Sequence, residues 1–202
     1  TYGYEGVIYI PNSIEIDNYA YKNRKIDTIK LLWVRSFSAL YNPEQAILVL
    51  EQLLKMNYDA ELTMIGPEVD GALLKTKALA KAKQLDVNFT GKLSKPEWIA
   101  FSKNCNVFIN TTNLDNTPVS VIEAMALGLP VVSTNVGGLP FLITDHTDGL
   151  LVEPRDAVVM AQAIIKLKLD DALRVKLITN ARAKVENFGW QVVKQQWISV
   201  LN

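Results

Sequence analysis

The sequence predicts an α/β fold: a parallel sheet covered by helices on both faces. Three observations carry that prediction. Short apolar runs alternate strictly with helical patterns along most of the chain, and nearly uninterrupted apolar strands belong to sheets buried on both sides. Several helical stretches open on a small polar residue followed by proline, the signature of a capped first turn. With 202 residues, 49% of them hydrophobic, the chain can bury a sizeable core, which excludes a disordered polymer. The length suits one domain, with extra helices at its ends.

In chain order, strands are expected at Val7–Ile10, Leu31–Ser36, Glu61–Ile65, Asn88–Thr90, Val107–Asn110, Val131–Thr134 and Leu150–Val152. Helices are expected near 43–56, 70–84, 96–103, 118–127 and 156–168, followed by a largely helical tail. Asn42 before Pro43, Thr117 before Pro118, and Ser94 just ahead of Pro96 are the expected caps, with Glu97 at the capping-box position and Asp156 opening the next helix. The first 29 residues differ. After one strand they run polar, and they read as an approach segment outside the alternating core.

Composition excludes several function classes. Lys plus Arg number 21 and Asp plus Glu 21, so the basic surplus of a nucleic-acid reader is missing. One Cys and one His rule out a disulfide framework, a Cys/His zinc cluster and a c-type haem site. His146 lies in a polar stretch with no nucleophile-elbow motif to accompany it, and no glycine-rich dinucleotide fingerprint occurs. His146 and Cys105 read as structural, Trp33 and Trp98 as core, and the lysines at 75, 77, 81 and 83 as a solvated helix face. Gly137 and Gly138 follow a strand and either admit a ligand closely or make a turn. No apolar run approaches the ~18 residues of a membrane span. The opening, without Met or a leader pattern, suggests part of something longer.

The chemistry concentrates between Asn113 and Pro130. From Pro118 to Leu129 every residue is apolar or small except Ser120 and Glu123. A helix apolar all round is buried, so a carboxylate inside it calls for a reason. Ser120 and Glu123 are three apart and share a face. Asp115, Asn116 and Thr117 stand just ahead of the helix, whose first-turn N–H groups lack intrahelical partners and suit an anion. Phosphates take N–H groups and carboxylates accept vicinal hydroxyls, and a sugar nucleotide offers both. The alternative is that Glu123 serves structure, pairing with a core arginine or capping a neighbouring loop. Pro118 has no N–H, so the cradle has one donor fewer than a glycine-rich loop.

This segment resembles the donor-site motif of retaining GT-B glycosyltransferases, especially family 4. There an acid, seven intervening residues and a Glu precede a small-residue helix and Gly-x-Pro-Val-Val. Here these are Asp115 and Glu123, then Ala124, Met125 and Ala126, then Gly128 through Val132. The resemblance continues through Ser133–Gly138, Asp148–Val152 and Pro154, and upstream includes Ile10-Pro11-Asn12, Leu31–Arg35, Leu62–Gly66 and Phe89–Gly91. It implies a Rossmann-like doubly wound sheet, the C-terminal half of a GT-B fold. It divides the chain into an interdomain crossing segment (1–29), a donor-binding domain (30–188) and a terminal helix (189–202) that would return to an N-terminal domain.

The resemblance also assigns roles. Glu123 accepts the ribose diol and Asp115 orients the donor sugar. Backbone N–H groups around Asn116, Thr117, Val119 and Ser120 hold pyrophosphate and sugar. Arg35 neutralises the departing diphosphate, and the backbone at Lys92 and Leu93 meets the base. No metal and no cofactor are implied; helix N-termini and cationic side chains stabilise the leaving group. The donor is a UDP- or GDP-sugar, and the acceptor a glycan or lipid-linked glycan reached through the N-terminal domain, as in polysaccharide biosynthesis. No nucleic acid is implied. A cytoplasmic location follows, with peripheral membrane contact at the inner face as a secondary expectation. The fragment alone is expected to be inactive.

Four departures from the family pattern stand out. Leu40 and Tyr41 occupy the place of a family lysine, Val34 replaces the glycine before Arg35, the first acid is Asp rather than Glu, and the glycine that often follows that acid is absent, with Pro118 in the region. The missing lysine favours a second reading, a non-catalytic nucleotide-sugar-binding module; a third is a GT-B nucleotide-sugar epimerase, for which the single loop histidine is a poor fit.

Overall fold

The computed structural model describes residues 10–201, together with Ile8. Six strands form one parallel sheet: β1 (Ile29–Val34), β2 (Ala60–Ile65), β3 (Asn88–Gly91), β4 (Val107–Asn110), β5 (Val131–Thr134) and β6 (Leu150–Val152). Their spatial order is β3-β2-β1-β4-β5-β6. This is a Rossmann-like doubly wound sheet, in which the strand order reverses between β1 and β4 and opens a crevice at their carboxyl ends. The expected strand Val7–Ile10 includes residues outside those described.

Helices α1 (Pro43–Lys55), α2 (Ala72–Ala82) and α6 (Ala157–Leu169) cover one face; α3 (Lys95–Phe101), α4 (Val119–Ala126) and α7 (Asp171–Glu186) cover the other. A four-residue turn of helix, α5 (Leu139–Leu142), and a terminal α8 (Trp190–Leu201) complete the set. Alternation along β1 divides its side chains between two cores. Leu31 and Trp33 join Ile47, Leu50, Met64 and Ile164, whereas Leu32 joins Phe108, Ile122, Met125 and Val185. Burial on both faces is why these strands carry unbroken apolar runs.

Boundaries follow the expected pattern with physical corrections. β1 begins and ends two residues earlier than expected, and Arg35 and Ser36 turn off its carboxyl end. Asp156 caps α6 by accepting the Val159 N–H at 2.9 Å, and Glu97 reaches back to the Ser94 N–H at 2.7 Å. Neither Asn42 nor Thr117 caps with its side chain. Asn42 takes a left-handed conformation (φ 48°) and offers only its carbonyl, and Pro118, not Thr117, is the residue flanking α4. The 96–103 stretch splits into α3 and a 3-10 turn at Ser102–Asn104.

The segment before β1 is part of the packed body. Ile14 and Tyr19 enter the α4 core and Ile26 the opposite one. Buried Arg24 donates to the carbonyls of Ser102 (2.8 Å), Cys105 (3.1 Å) and Leu127 (3.4 Å). Arg182 of α7 donates to the carbonyls of Tyr19 and Ala126 at 2.7 and 2.8 Å, clamping the segment against α4. By contrast, α8 buries only Val193 and leaves Trp190, Ile198, Val200 and Leu201 exposed, with Trp197 47% exposed.

Candidate functional site

The two strands at the reversal point supply the site's first elements. Arg35 follows β1, and the loop 111–118 leads from β4 into α4. Tertiary hydrogen bonds hold both loops. The Trp33 indole donates to Thr111 Oγ1 at 3.0 Å, and that hydroxyl lies 2.9 Å from the Asn42 carbonyl. The Asn113 N–H bonds the Leu40 carbonyl at 2.9 Å. Trp33 is therefore core, as its sequence context suggests, and its one polar atom ties the β1 and β4 ends together.

Arg35 and Asp115 form an ion pair across the crevice, both largely buried. The Arg35 guanidinium also lies 4.2 Å from the centroid of the Tyr41 ring. Tyr41, standing where the family pattern has a lysine, thus supplies a cation–π face rather than a second charge. Burial pulls the Arg35 pKa below its ordinary value, with Tyr41 opposing the shift; an arginine nevertheless stays charged. Its Nε has no hydrogen-bond partner among the described residues.

Glu123 is 3% exposed on α4. The Tyr19 hydroxyl donates to its Oε1 at 2.7 Å, and Lys95 Nζ pairs with the same oxygen. Both the ligand reading and the structural reading of this carboxylate thus keep something. It has a counter-charge, but that charge is a half-exposed lysine at the mouth of a pocket, not a core arginine. Burial, then the hydrogen bond and charge of Glu123, raise the Tyr19 pKa well above its ordinary value, so the phenol remains a donor.

An open pocket of about 310 Å³ lies at this edge, lined by Val34, Arg35, Ile65, Gly66, Pro67, Lys92, Leu93, Lys95, Trp98, Val119, Ser120 and Glu123. Six residues singled out from sequence therefore meet around one space: Arg35, Lys92, Leu93, Val119, Ser120 and Glu123. In its lining, the backbone N–H groups of Val119 and Ser120 have no partner among the described residues, and the buried Ser120 hydroxyl is also unpaired. Such donors at a helix N-terminus suit an anion. Asp115, Asn116 and Thr117 do not line this space. Asp115 reaches it through Arg35, its Oδ1 accepts the Asn116 N–H at 2.9 Å, and the Thr117 carbonyl accepts from Asn12 at 3.0 Å.

Gly138 resolves the choice between ligand approach and turn. A Cβ there would stand 1.9 Å from the Asn116 carbonyl oxygen, and its N–H donates to the Asp115 carbonyl at 2.7 Å. The missing side chain lets the loop after β5 press on the Asp115 loop and hold it. Away from the crevice, Cys105 is buried and its thiol is pushed up to about 12, which removes it as a thiolate nucleophile. His146 sits on an exposed loop at φ 57°. Among the described residues no group of three or more His, Cys, Asp or Glu is placed to hold a metal, and no helix is long and apolar enough to cross a membrane.

Sequence reasoning missed Tyr19 and Lys95 as parts of the site. Lys95 was visible only within a helix cap, and Tyr19 lies 104 residues from Glu123 in a segment without periodicity. No spacing rule could have joined them.

Fold and site together define a Rossmann-like α/β domain of the GT-B glycosyltransferase type. Its crevice gathers cations, two carboxylates and the open N-terminus of a helix. The family model "Glycosyl transferases group 1" matches residues 17–184, and the chain belongs to that family. It is 29% identical to the capsular polysaccharide biosynthesis glycosyltransferase CapM of Staphylococcus aureus, over 95% of this chain and 53% of that protein. Among solved structures, Anabaena HepE in complex with UDP and glucose superposes with a TM-score of 0.82 at 20% identity, over 95% of this chain and 56% of HepE. The C-terminal domain of the group 1 glycosyl transferase LpcC from Francisella tularensis matches with a TM-score of 0.68 at 21% identity, over 88% of this chain and 93% of that domain. The chain spans about half the length of CapM and HepE.

Proposed function

We propose that this chain is the donor-binding half of a retaining glycosyltransferase that moves a hexosyl group from a UDP- or GDP-sugar to a glycan or lipid-linked acceptor. One observation carries the reading: Arg35, Lys92, Lys95, the unpaired N–H groups of Val119 and Ser120, and the Glu123 carboxylate surround a single pocket. That set matches a diphosphate joined to a diol. Glu123 accepts the ribose hydroxyls, the α4 N-terminus with Ser120 Oγ takes the diphosphate, and the backbone at Lys92–Leu93 meets the base. Asp115, Asn116 and Thr117 lie toward the sugar.

Transfer forms a bond from the acceptor oxygen to the sugar's anomeric carbon and breaks the bond from that carbon to the diphosphate. Charge grows on the leaving oxygens, and in this reading the Arg35 guanidinium and the helix N-terminus lower that cost. In this reading the departing phosphate takes the acceptor's proton, so no protein nucleophile or general base is required. HepE is described in complex with UDP and glucose, which makes UDP the first nucleotide to test. The exposed apolar side of α8, with Trp190 and Trp197, supports contact with an acceptor-binding domain. A cytoplasmic location belongs to the same reading.

Calorimetric titration with UDP, GDP and ADP tests it. One of the first two binds in the micromolar to low-millimolar range; failure of all three at millimolar concentration overturns the donor-site assignment. In this reading residues 1–202 by themselves transfer no labelled sugar, because the acceptor is bound by another domain, and measurable transfer would refute the two-domain requirement.

A further inference from the structure

Glu123 is held in an unusual way for a residue whose carboxylate faces a pocket. Both of its polar partners, the Tyr19 hydroxyl and the Lys95 ammonium, meet the same oxygen, Oε1. Oε2 has no partner among the described residues. The terminal torsion of a glutamate is soft and roughly two-fold, so an unrestrained carboxylate would present its oxygens in many orientations. Two donors on one oxygen pin that torsion. Tyr19 is itself fixed: its ring is buried against α4, and Arg182 holds its carbonyl at 2.7 Å while also bonding Ala126 of α4.

We infer that Tyr19 and Lys95 are positioning residues that lock Oε1 of Glu123, so that Oε2 is presented to the vicinal hydroxyls of the nucleotide ribose. The inference rests on the donor-site reading above. It assigns a part in ligand discrimination to the segment before β1, which is otherwise outside the sheet. Tyr19 acts through Glu123 and touches no reacting atom. Its raised pKa keeps it a neutral donor across the working pH range. Lys95 offsets the buried negative charge from the pocket mouth, where half of its side chain stays in water.

The test compares UDP and GDP with their 2′-deoxy forms on the wild-type chain, Tyr19→Phe and Lys95→Met, by calorimetry. The wild type is expected to prefer the ribose form by about tenfold, the worth of one hydrogen bond to a charged acceptor. In each variant the ratio of ribose to 2′-deoxy affinity falls toward one, whatever loss is common to both forms. A merely structural role would weaken both forms equally, and that outcome, or an unchanged preference in both variants, overturns the inference. A wild type that binds but does not discriminate overturns it as well. A wild type that binds neither nucleotide instead overturns the donor-site reading and the inference with it. Thermal unfolding of Tyr19→Phe separates a folding defect from lost discrimination, and Lys95→Met, at a half-exposed position, provides the second probe.

Discussion

Replacing Glu123 is the sharpest probe of the site, and the structure dictates how to do it. Glu123→Ala removes an acceptor that would take hydrogen bonds from a ligand, and hydrogen bonds to charged groups are worth about 1.5–3 kcal/mol. Nucleotide affinity should therefore fall by roughly 10- to 150-fold. The same change strands the Tyr19 hydroxyl, which donates to Glu123 at 2.7 Å inside the core. An unsatisfied buried donor costs about 1–3 kcal/mol of stability, or about 2–4 °C of Tm per kcal/mol at this chain length. Glu123→Gln separates the two effects: its amide oxygen can still accept from Tyr19, while the charge is lost. The expectation is a near-native Tm for Gln, a lowered one for Ala, and weakened UDP or GDP binding in both. Calorimetric titration and thermal unfolding at matched ionic strength measure these. Native affinity in both variants would remove Glu123 from the binding site and leave it as a buried structural partner for Tyr19 and Lys95.

Other outcomes follow from the same geometry. Arg35→Gln keeps a polar side chain but removes the charge facing Asp115; UDP affinity should fall by about 1.5–3 kcal/mol and uridine affinity hardly at all, and an equal loss for both would detach Arg35 from the phosphates. Gly138→Ala drives a methyl to within 1.9 Å of the Asn116 carbonyl oxygen, an overpacking worth about 1–3 kcal/mol. Its Tm should drop and nucleotide binding weaken together, and a native Tm would show that the two loops can part freely. Cys105, buried and with its thiol raised to about 12, should resist alkylation by iodoacetamide at pH 7–8 until denaturant is added. Rapid labelling of the folded chain would contradict its core placement.

Much of this molecule was legible in advance because its signals are local. The strands at Val107–Asn110, Val131–Thr134 and Leu150–Val152 lie where their apolar runs predicted, since a strand covered on both faces must be apolar throughout. The Asp156 cap and the Glu97 capping contact were equally readable, each needing only residues three apart. Asn42 and Thr117 misled for a tertiary reason. The Asn42 carbonyl is drawn to Thr111 at the end of β4 and its backbone turns left-handed, while the Thr117 carbonyl is taken by Asn12. Both loops are shaped by segments distant in the chain rather than by the helices they precede.

The site divides along the same line. Glu123 and Ser120 could be picked out because polar atoms in an all-apolar helix contradict its burial, and Arg35 because it ends a core strand. What no local pattern contained was the partnering. The Tyr19 ring is placed by the α4 core and Arg182, Lys95 by the first turn of α3, and Tyr41 beneath Arg35 by the turn that binds β4. By itself the sequence determined the strand–helix alternation, the two-faced core and the residue types at the crevice, because each is encoded by neighbours along the chain. Only the tertiary structure decided which cation answers which carboxylate and which oxygen is left free, because those pairings arise where the strand order reverses and residues a hundred positions apart become neighbours.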